Sequence, residues 1–301
     1  MLRNAKKSLL IMAEPIIQVQ SVVKKFDGRT VLDEVKLEVM RGETLVILGG
    51  SGSGKSTLLR LMIGNEKLNG GDILSLGKSL SRMSVGELDD YRRSIGVLFQ
   101  SGALFNSMTV AENVALPLRE HTDLPDETIE IMVKIKLELV GLRTHADKMP
   151  AMLSGGMKKR AGLARAISLD PKILFYDEPS AGLDPVTSTE IDHLIMDLND
   201  KLGVTSVVVT HEMDSAFAIA DRMVMLDKGR VLAVEDRAWF DNLRKTPGEL
   251  PLREALIRQF LRGDAQGPIT QRRQTSNYSD DLLGAPVPLA EEPSLVPTRM
   301  L

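Results

Sequence analysis

The segment Gly49-Gly50-Ser51-Gly52-Ser53-Gly54-Lys55-Ser56 has the spacing G-x-x-x-x-G-K-[ST]. An apolar run, Thr44 to Leu48, precedes it, and Lys55 to Ile63 reads as a helix. A strand that ends in such a loop and passes directly into a helix commits the chain to an α/β architecture. The glycines let successive backbone N–H groups turn inward around phosphate oxygens, and the helix N-terminus adds its partial positive charge. Lys55 is expected to place its ammonium on the outer phosphates, and Ser56 to offer its hydroxyl to Mg²⁺. Thr57, next in the same turn, completes the predicted binding set. The competing reading is a flexible Gly/Ser loop, and the flanking strand and helix argue against it.

The rest of the chain supports that architecture. Ile16 to Val22 reads as a strand and Asp27-Gly28 as a turn. Val35 to Val39 and Thr44 to Leu48 are two further runs separated by Arg41-Gly42, so an antiparallel start is expected. Ser84 with Glu87, and Thr109 with Glu112, have the spacing of capping boxes. Ile95 to Phe99 is a short apolar strand. Pro125 opens a helix with Ile129, Met132, Val133 and Val140 on one face, closed by Gly141. From Lys172 strands and helices alternate: Ile173 to Tyr176, a helix from about Pro185 to Gly203, then Thr205 to Thr210 and Met223 to Leu226. Such alternation means a parallel sheet covered by helices.

Bulk properties remove several functions. The 301 residues carry a net charge of −3, which favours neither nucleic acid nor an anionic membrane surface as a bulk partner. There is no cysteine, so disulfides and thiolate metal sites are excluded. The four histidines lack metal-ligand spacing. No stretch approaches the roughly 18 apolar residues of a membrane helix, and the run Leu9 to Ala13 is too short for a secretory signal. Residues 1–14 therefore read as a flexible leader, and action at a membrane would need a partner.

Ile173-Leu174-Phe175-Tyr176-Asp177 is an apolar strand ending in a carboxylate, with Glu178 next. Beside a phosphate loop, Asp177 reads as the Mg²⁺-side acid and Glu178 as the general base that polarises the attacking water. Adjacent strand residues point to opposite sides, so both can serve one site only if the chain turns there. Gln100 closes the strand Ile95 to Phe99, where its amide can reach Mg²⁺ or the water. His211 closes Thr205 to Thr210, where an imidazole can contact the γ-phosphate. Either residue alone is more often structural. Here the strand ends converge on one crevice, the usual ligand position in such sheets.

Leu153-Ser154-Gly155-Gly156-Met157 precedes a helix carrying Lys158, Lys159, Arg160 and Arg165. A serine hydroxyl and two glycine amides at a helix N-terminus form a second anion site. With the phosphate loop, Gln100, Asp177-Glu178, Ser180 to Asp184 and His211 in this order, the chain resembles the ABC-transporter ATPases from about residue 16 to 240. The resemblance implies a P-loop NTPase (RecA-like) core with an antiparallel β subdomain and a helical subdomain at about 101–160, within an ATPase domain spanning 15–240. It implies ATP and Mg²⁺ as cofactors and stacking of Phe26 on adenine. Gln100 then corresponds to the Q-loop, Leu153 to Met157 to the signature, and His211 to the switch histidine. Asp184 falls in a loop between protomers. Met157 departs from the glutamine most of the family carries. That methionine, with Phe99 to Phe105 and Thr109 to Leu118, is similar to the ATPases of Mla- and Mce-type bacterial lipid transporters.

In that family two chains meet head to tail, each signature closing on the other's ATP. The implied partners are a second copy, integral-membrane permease subunits, a small accessory subunit and a periplasmic lipid-binding protein, with no nucleic acid. The implied location is peripheral, on the cytoplasmic face of the inner membrane. Two other readings stand beside lipid transport. One is uptake of amino acids or other small polar solutes. The other is a soluble ABC protein acting on ribosomes or DNA, against which stand the single phosphate loop and the lack of coiled-coil heptads. Residues 241–301 form an extension. Pro251 to Arg262 is expected to be an amphipathic helix with Leu252, Leu256, Phe260 and Leu261 in one stripe, and the chain from Gly263 reads as disordered.

Overall fold

The computed structural model describes residues 14–270. The leader as far as residue 13 and the tail beyond residue 270, including its expected disorder, lie outside the described residues. The chain divides into two compact units between Thr246 and Pro247.

In the first unit β1 (Pro15–Phe26) and β2 (Arg29–Met40) form a hairpin. Asp27 and Gly28, at its tip, are both left-handed, as a two-residue hairpin turn requires. β4 (Gly70–Ser75) and β5 (Lys78–Ser79) complete an antiparallel sheet in the order β2-β1-β4-β5. The second sheet contains β3 (Thr44–Leu48), β6 (Ile95–Leu98), β7 (Ile173–Asp177), β8 (Thr205–Val209), β9 (Arg222–Asp227) and β10 (Arg230–Asp236), in the order β10-β9-β3-β8-β7-β6. Its neighbours run parallel except at the β9–β10 hairpin.

The antiparallel start is found between β1 and β2. The two runs flanking Arg41-Gly42 do not pair: β2 and β3 belong to different sheets. Their burial explains the separation. β2 alternates buried and exposed residues through much of its length, as suits a sheet packed on one face, whereas every residue of β3 is buried. A strand covered on both faces belongs inside a parallel sheet.

α1 (Lys55–Met62) lies between the sheets, and its Leu58 and Leu61 join Ile17, Val35, Ile47 and Phe175 in one core. α2 (Val85–Arg93) and α3 (Val110–His121) begin with the two expected capping boxes. α3, α4 (Asp126–Leu139) and α5 (Gly155–Ala166) pack together between β6 and β7 in sequence. α6 (Pro185–Leu202), α7 (Met213–Ile219) and α8 (Arg237–Lys245) complete this unit. The parallel sheet places the ends of β3, β6, β7 and β8 along one edge, and the predicted site residues follow those ends.

The second unit holds α9 (Leu252–Arg262), closed by left-handed Gly263. Its buried stripe is Leu256, Ile257 and Leu261, while Leu252 is exposed. The helix is thus as expected, with its buried face turned to include Ile257 in place of Leu252 and with Phe260 only half-buried.

Candidate nucleotide site

β3 delivers the loop Gly49–Ser56 to the sheet edge. Glycine is required by close approach: a Cβ on Gly49 would lie 2.2 Å from the Leu226 carbonyl oxygen, and one on Gly54 would lie 2.6 Å from Leu32 Cδ2. Gly54, at φ 102°, also caps α1 in a conformation that side-chain-bearing residues rarely adopt. The Gly229 N–H donates to Ser53 O at 3.0 Å, so the β9–β10 turn holds the loop from behind. Lys55 Nζ donates to Gly49 O at 2.7 Å and to Gly50 O at 3.0 Å. Burial lowers its pKa, and the charges of Glu178 and Asp177 oppose that shift. The buried Ser53 hydroxyl has no protein partner, which leaves it for a ligand of the cradle.

Asp177, at the end of β7, faces Ser56, Lys55 and Arg60. Burial and the neighbouring Glu178 charge raise its pKa, against those three groups. Among the described residues no cluster of three His, Cys, Asp or Glu side chains could hold a metal. The paired Ser56 and Asp177 oxygens fit Mg²⁺, a hard cation that takes few protein ligands and completes its shell with phosphate and water.

Glu178 follows with φ 50°, a left-handed conformation that costs a non-glycine residue about 1–2 kcal/mol. This is the turn that lets neighbouring Asp177 and Glu178 serve one site. Five contacts hold the residue. Its N–H donates to Val209 O at 2.9 Å, and its carbonyl accepts from Ala181 N at 3.3 Å and Lys159 Nζ at 3.0 Å. Its Oε2 accepts from His211 N at 3.3 Å, while Oε1 lies 2.8 Å from His211 Nδ1. The carboxylate is 14% exposed and the imidazole 62%, so the histidine stands between the acid and solvent.

The structure thus brings Lys55, Ser56, Asp177, Glu178 and His211 together. Gln100 stands exposed just past β6, and Phe26, at the end of β1, is exposed beneath Lys24 Nζ at 4.4 Å from its ring centroid. Ser154 caps α5, its Oγ accepting from Met157 N at 3.3 Å. A Cβ on Gly156 would lie 2.4 Å from Thr187 Cγ2, so the signature backbone leans on the start of α6. Asp184 caps that helix, with Oδ1 accepting from Val186 N at 3.1 Å and Thr187 N at 3.0 Å. Among the described residues no hydrogen bond joins Ser154–Met157 to the loop Gly49–Ser56 of the same chain.

Sequence reasoning missed two features. One is the Lys159 contact with the Glu178 carbonyl, which no residue pattern signals because the acceptor is backbone. The other is a buried chain in which Ser215 Oγ donates to Asp192 Oδ2 at 2.8 Å and lies 3.1 Å from Ser180 Oγ. Burial raises the Asp192 pKa to about 6. Its one sequence signal is that Asp192 shares the inward helical stripe of Ile195 and Asn199.

A family model described as ABC transporter matches residues 32–181. The intermembrane phospholipid transport system ATP-binding protein MlaF of Haemophilus influenzae is 40% identical over 271 residues, covering 90% of this chain and 99% of that one. The chain belongs to the ABC transporter family. It is an ATPase with the α/β cassette fold. MlaF of Escherichia coli K12 is 43% identical over 256 residues, covering 85% of this chain and 92% of its own. Among solved structures, the dimeric ATP-binding cassette MJ0796 bound to ADP and Pi is 32% identical with a TM-score of 0.68, covering 73% of this chain and 98% of that one. ABC cassettes of this kind bind ATP, dimerise and work with membrane permease components. Among the described residues no helix is long and apolar enough to cross a membrane.

Proposed function

We propose that this cassette is the ATPase subunit of a transporter that moves phospholipid between bacterial membranes. The observation that carries the lipid assignment is its 40–43% identity, over 85–90% of its length, to proteins named for intermembrane phospholipid transport. Relatives named as probable ribonucleotide transport ATP-binding proteins are 41–42% identical over 84% of this chain, but the match covers only 68–70% of their own length, against 92–99% for the phospholipid-transport relatives. Action on ribosomes or DNA has no comparable support.

The chain's own residues divide the work. Phe26 offers a ring to the adenine, and the cradle Gly49–Thr57 with Lys55 binds and orients the phosphates. Ser56, Asp177 and Gln100 would hold Mg²⁺, which would supply positive charge against the phosphates. Glu178 takes a proton from the attacking water, and His211 fixes the direction of that carboxylate while contacting the γ-phosphate. Ser154, Gly155 and Gly156 close on the nucleotide of a second copy arranged head to tail, with Asp184 in the loop between the protomers. Support for sharing is that the signature leans on α6 and makes no hydrogen bond to its own phosphate loop among the described residues.

The cassette docks from the cytoplasm on inner-membrane permease subunits, with a small accessory subunit and a periplasmic lipid-binding protein completing the system. Residues 15–240 form the ATPase domain, with 241–301 as an extension that strengthens assembly. The test is to purify the intact complex and identify its lipid by mass spectrometry, then follow labelled phospholipid between two vesicle populations. Bound phospholipid and ATP-dependent transfer are expected. ATP turnover stimulated by an amino acid, with no lipid bound or moved, would refute the assignment.

A further inference from the structure

Lys159 lies within α5, one turn beyond the signature that starts the helix. It is 5% exposed, a rare state for a lysine without charged neighbours. Its Nζ donates to the Glu178 carbonyl at 3.0 Å and faces the carboxylates of Glu178 and Glu212. Glu178 is left-handed at that point, so its carboxylate direction depends on how the backbone on either side is held. His211 holds the side chain, Val209 O receives the N–H, and Lys159 holds the carbonyl.

We propose that Lys159 is a positioning residue for ATP hydrolysis, its ammonium fixing the Glu178 peptide so that the helix carrying the signature also sets the catalytic carboxylate of its own chain. The proposal rests on the reading of Glu178 as general base. It gives α5 two duties at opposite ends of little more than one turn. Ser154 to Gly156 meet the nucleotide of the second copy, while Lys159, about 7 Å further along the axis, meets the base that acts on the chain's own nucleotide. A helix is stiff over that distance, so a shift of the signature on closure reaches Glu178 through one side chain.

A lysine serving only to fill space and a lysine serving only the signature predict different behaviour from a positioning lysine. The full-length chain is prepared as wild type, Lys159→Met, Lys159→Arg and Glu178→Gln. Each is assayed for ATPase kcat and KM, for melting temperature, and for unhydrolysed ATP retained by the dimer after gel filtration with Mg²⁺. Lys159→Met should lower kcat at least tenfold, leave KM within about twofold, and retain ATP in a persistent dimer, as is also expected of Glu178→Gln. Lys159→Arg, which keeps a buried cationic donor, should recover at least a third of wild-type kcat. If Lys159→Met does not fold, Lys159→Gln carries the same test, because it keeps a donor but loses both charge and reach. The proposal is overturned if the folded variant turns over ATP within twofold of wild type. It is also overturned if that variant fails to dimerise with ATP, which would place the role in the signature. Normal turnover by Glu178→Gln would instead remove the base on which the proposal rests.

Discussion

Replacing Glu178 with Gln swaps one carboxylate oxygen for an amide nitrogen and leaves the surrounding geometry able to persist. Gln Oε1 can still accept from His211 N, and Gln Nε2 can donate to a neutral His211 Nδ1 in place of the present 2.8 Å contact. The Lys55 bonds to Gly49 O and Gly50 O do not involve Glu178, and neither does the Ser56–Asp177 pair. Stability should therefore move by no more than about 1 kcal/mol, a shift of a few degrees in Tm for a chain of this size. What is lost is proton transfer from the water. General-base catalysis is worth about 10²–10⁴-fold, or about 2.7–5.5 kcal/mol of barrier. Turnover is measured by coupled phosphate release, and binding by titration with a fluorescent ATP analogue. The expected result is a kcat lower by at least 10², with ATP affinity within about threefold of wild type. A kcat within tenfold of wild type, in a folded variant that binds ATP, would refute the role given to Glu178.

Lys55→Ala removes a charge-assisted phosphate contact worth about 1.5–3 kcal/mol, so ATP affinity should fall by about 10- to 100-fold and turnover should vanish in the same assays. Gly96→Ala would place a Cβ 2.3 Å from the Ala166 carbonyl oxygen, forcing β6 and the end of α5 apart; a loss of about 1–3 kcal/mol is expected in urea unfolding. Glu43, fully buried beside Arg222 Nη1 at 3.2 Å, has its pKa raised by burial from 4.5 to about 7. The folded state holds that proton more tightly than the unfolded state, so wild-type stability contains a contribution that is present below pH 4.5 and lost as pH rises towards 7. Glu43→Gln should remove the loss and be more stable than wild type at pH 8, by at most about 3 kcal/mol, with the difference vanishing near pH 4.5. Parallel unfolding curves at both pH values check it, and an equal difference at the two would contradict it.

Much of this was legible in the residues because the features are local. The glycine spacing before Lys55 fixes both the loop and the helix it caps. Ser84 with Glu87 and Thr109 with Glu112 announce helix starts, since each cap needs only side chains three residues apart. The carboxylates at the end of β7 could be assigned to one site only if the chain turned, and the left-handed Glu178 supplies that turn. Other features are not local. Arg41-Gly42 looks like any hairpin turn, and only the all-buried environment of β3 moves that strand into the other sheet. Lys159 on Glu178 O joins residues 19 apart through a backbone acceptor, which leaves no pattern. Ser180, Ser215 and Asp192 meet because α6 and α7 pack together, and polar residues on a helix announce no partner in advance.

The central claim is that each site is completed by a second copy of the chain. It is tested by mixing Lys55→Ala chains with Ser154→Arg chains under conditions where subunits exchange. Each homodimer has two broken sites. A mixed dimer has one site broken on both sides and one intact, formed by the Lys55 of one chain and the Ser154 of the other. Random pairing makes half the dimers mixed, so about a quarter of all sites should be intact by the symmetry of the pair. The measurement is ATP-dependent crosslinking between cysteines introduced beside the phosphate loop of one chain and the signature of the other. Crosslinking that rises from background to about a quarter of the wild-type level on mixing is the predicted result. No rise on mixing, with exchange shown independently, would contradict a site shared between chains.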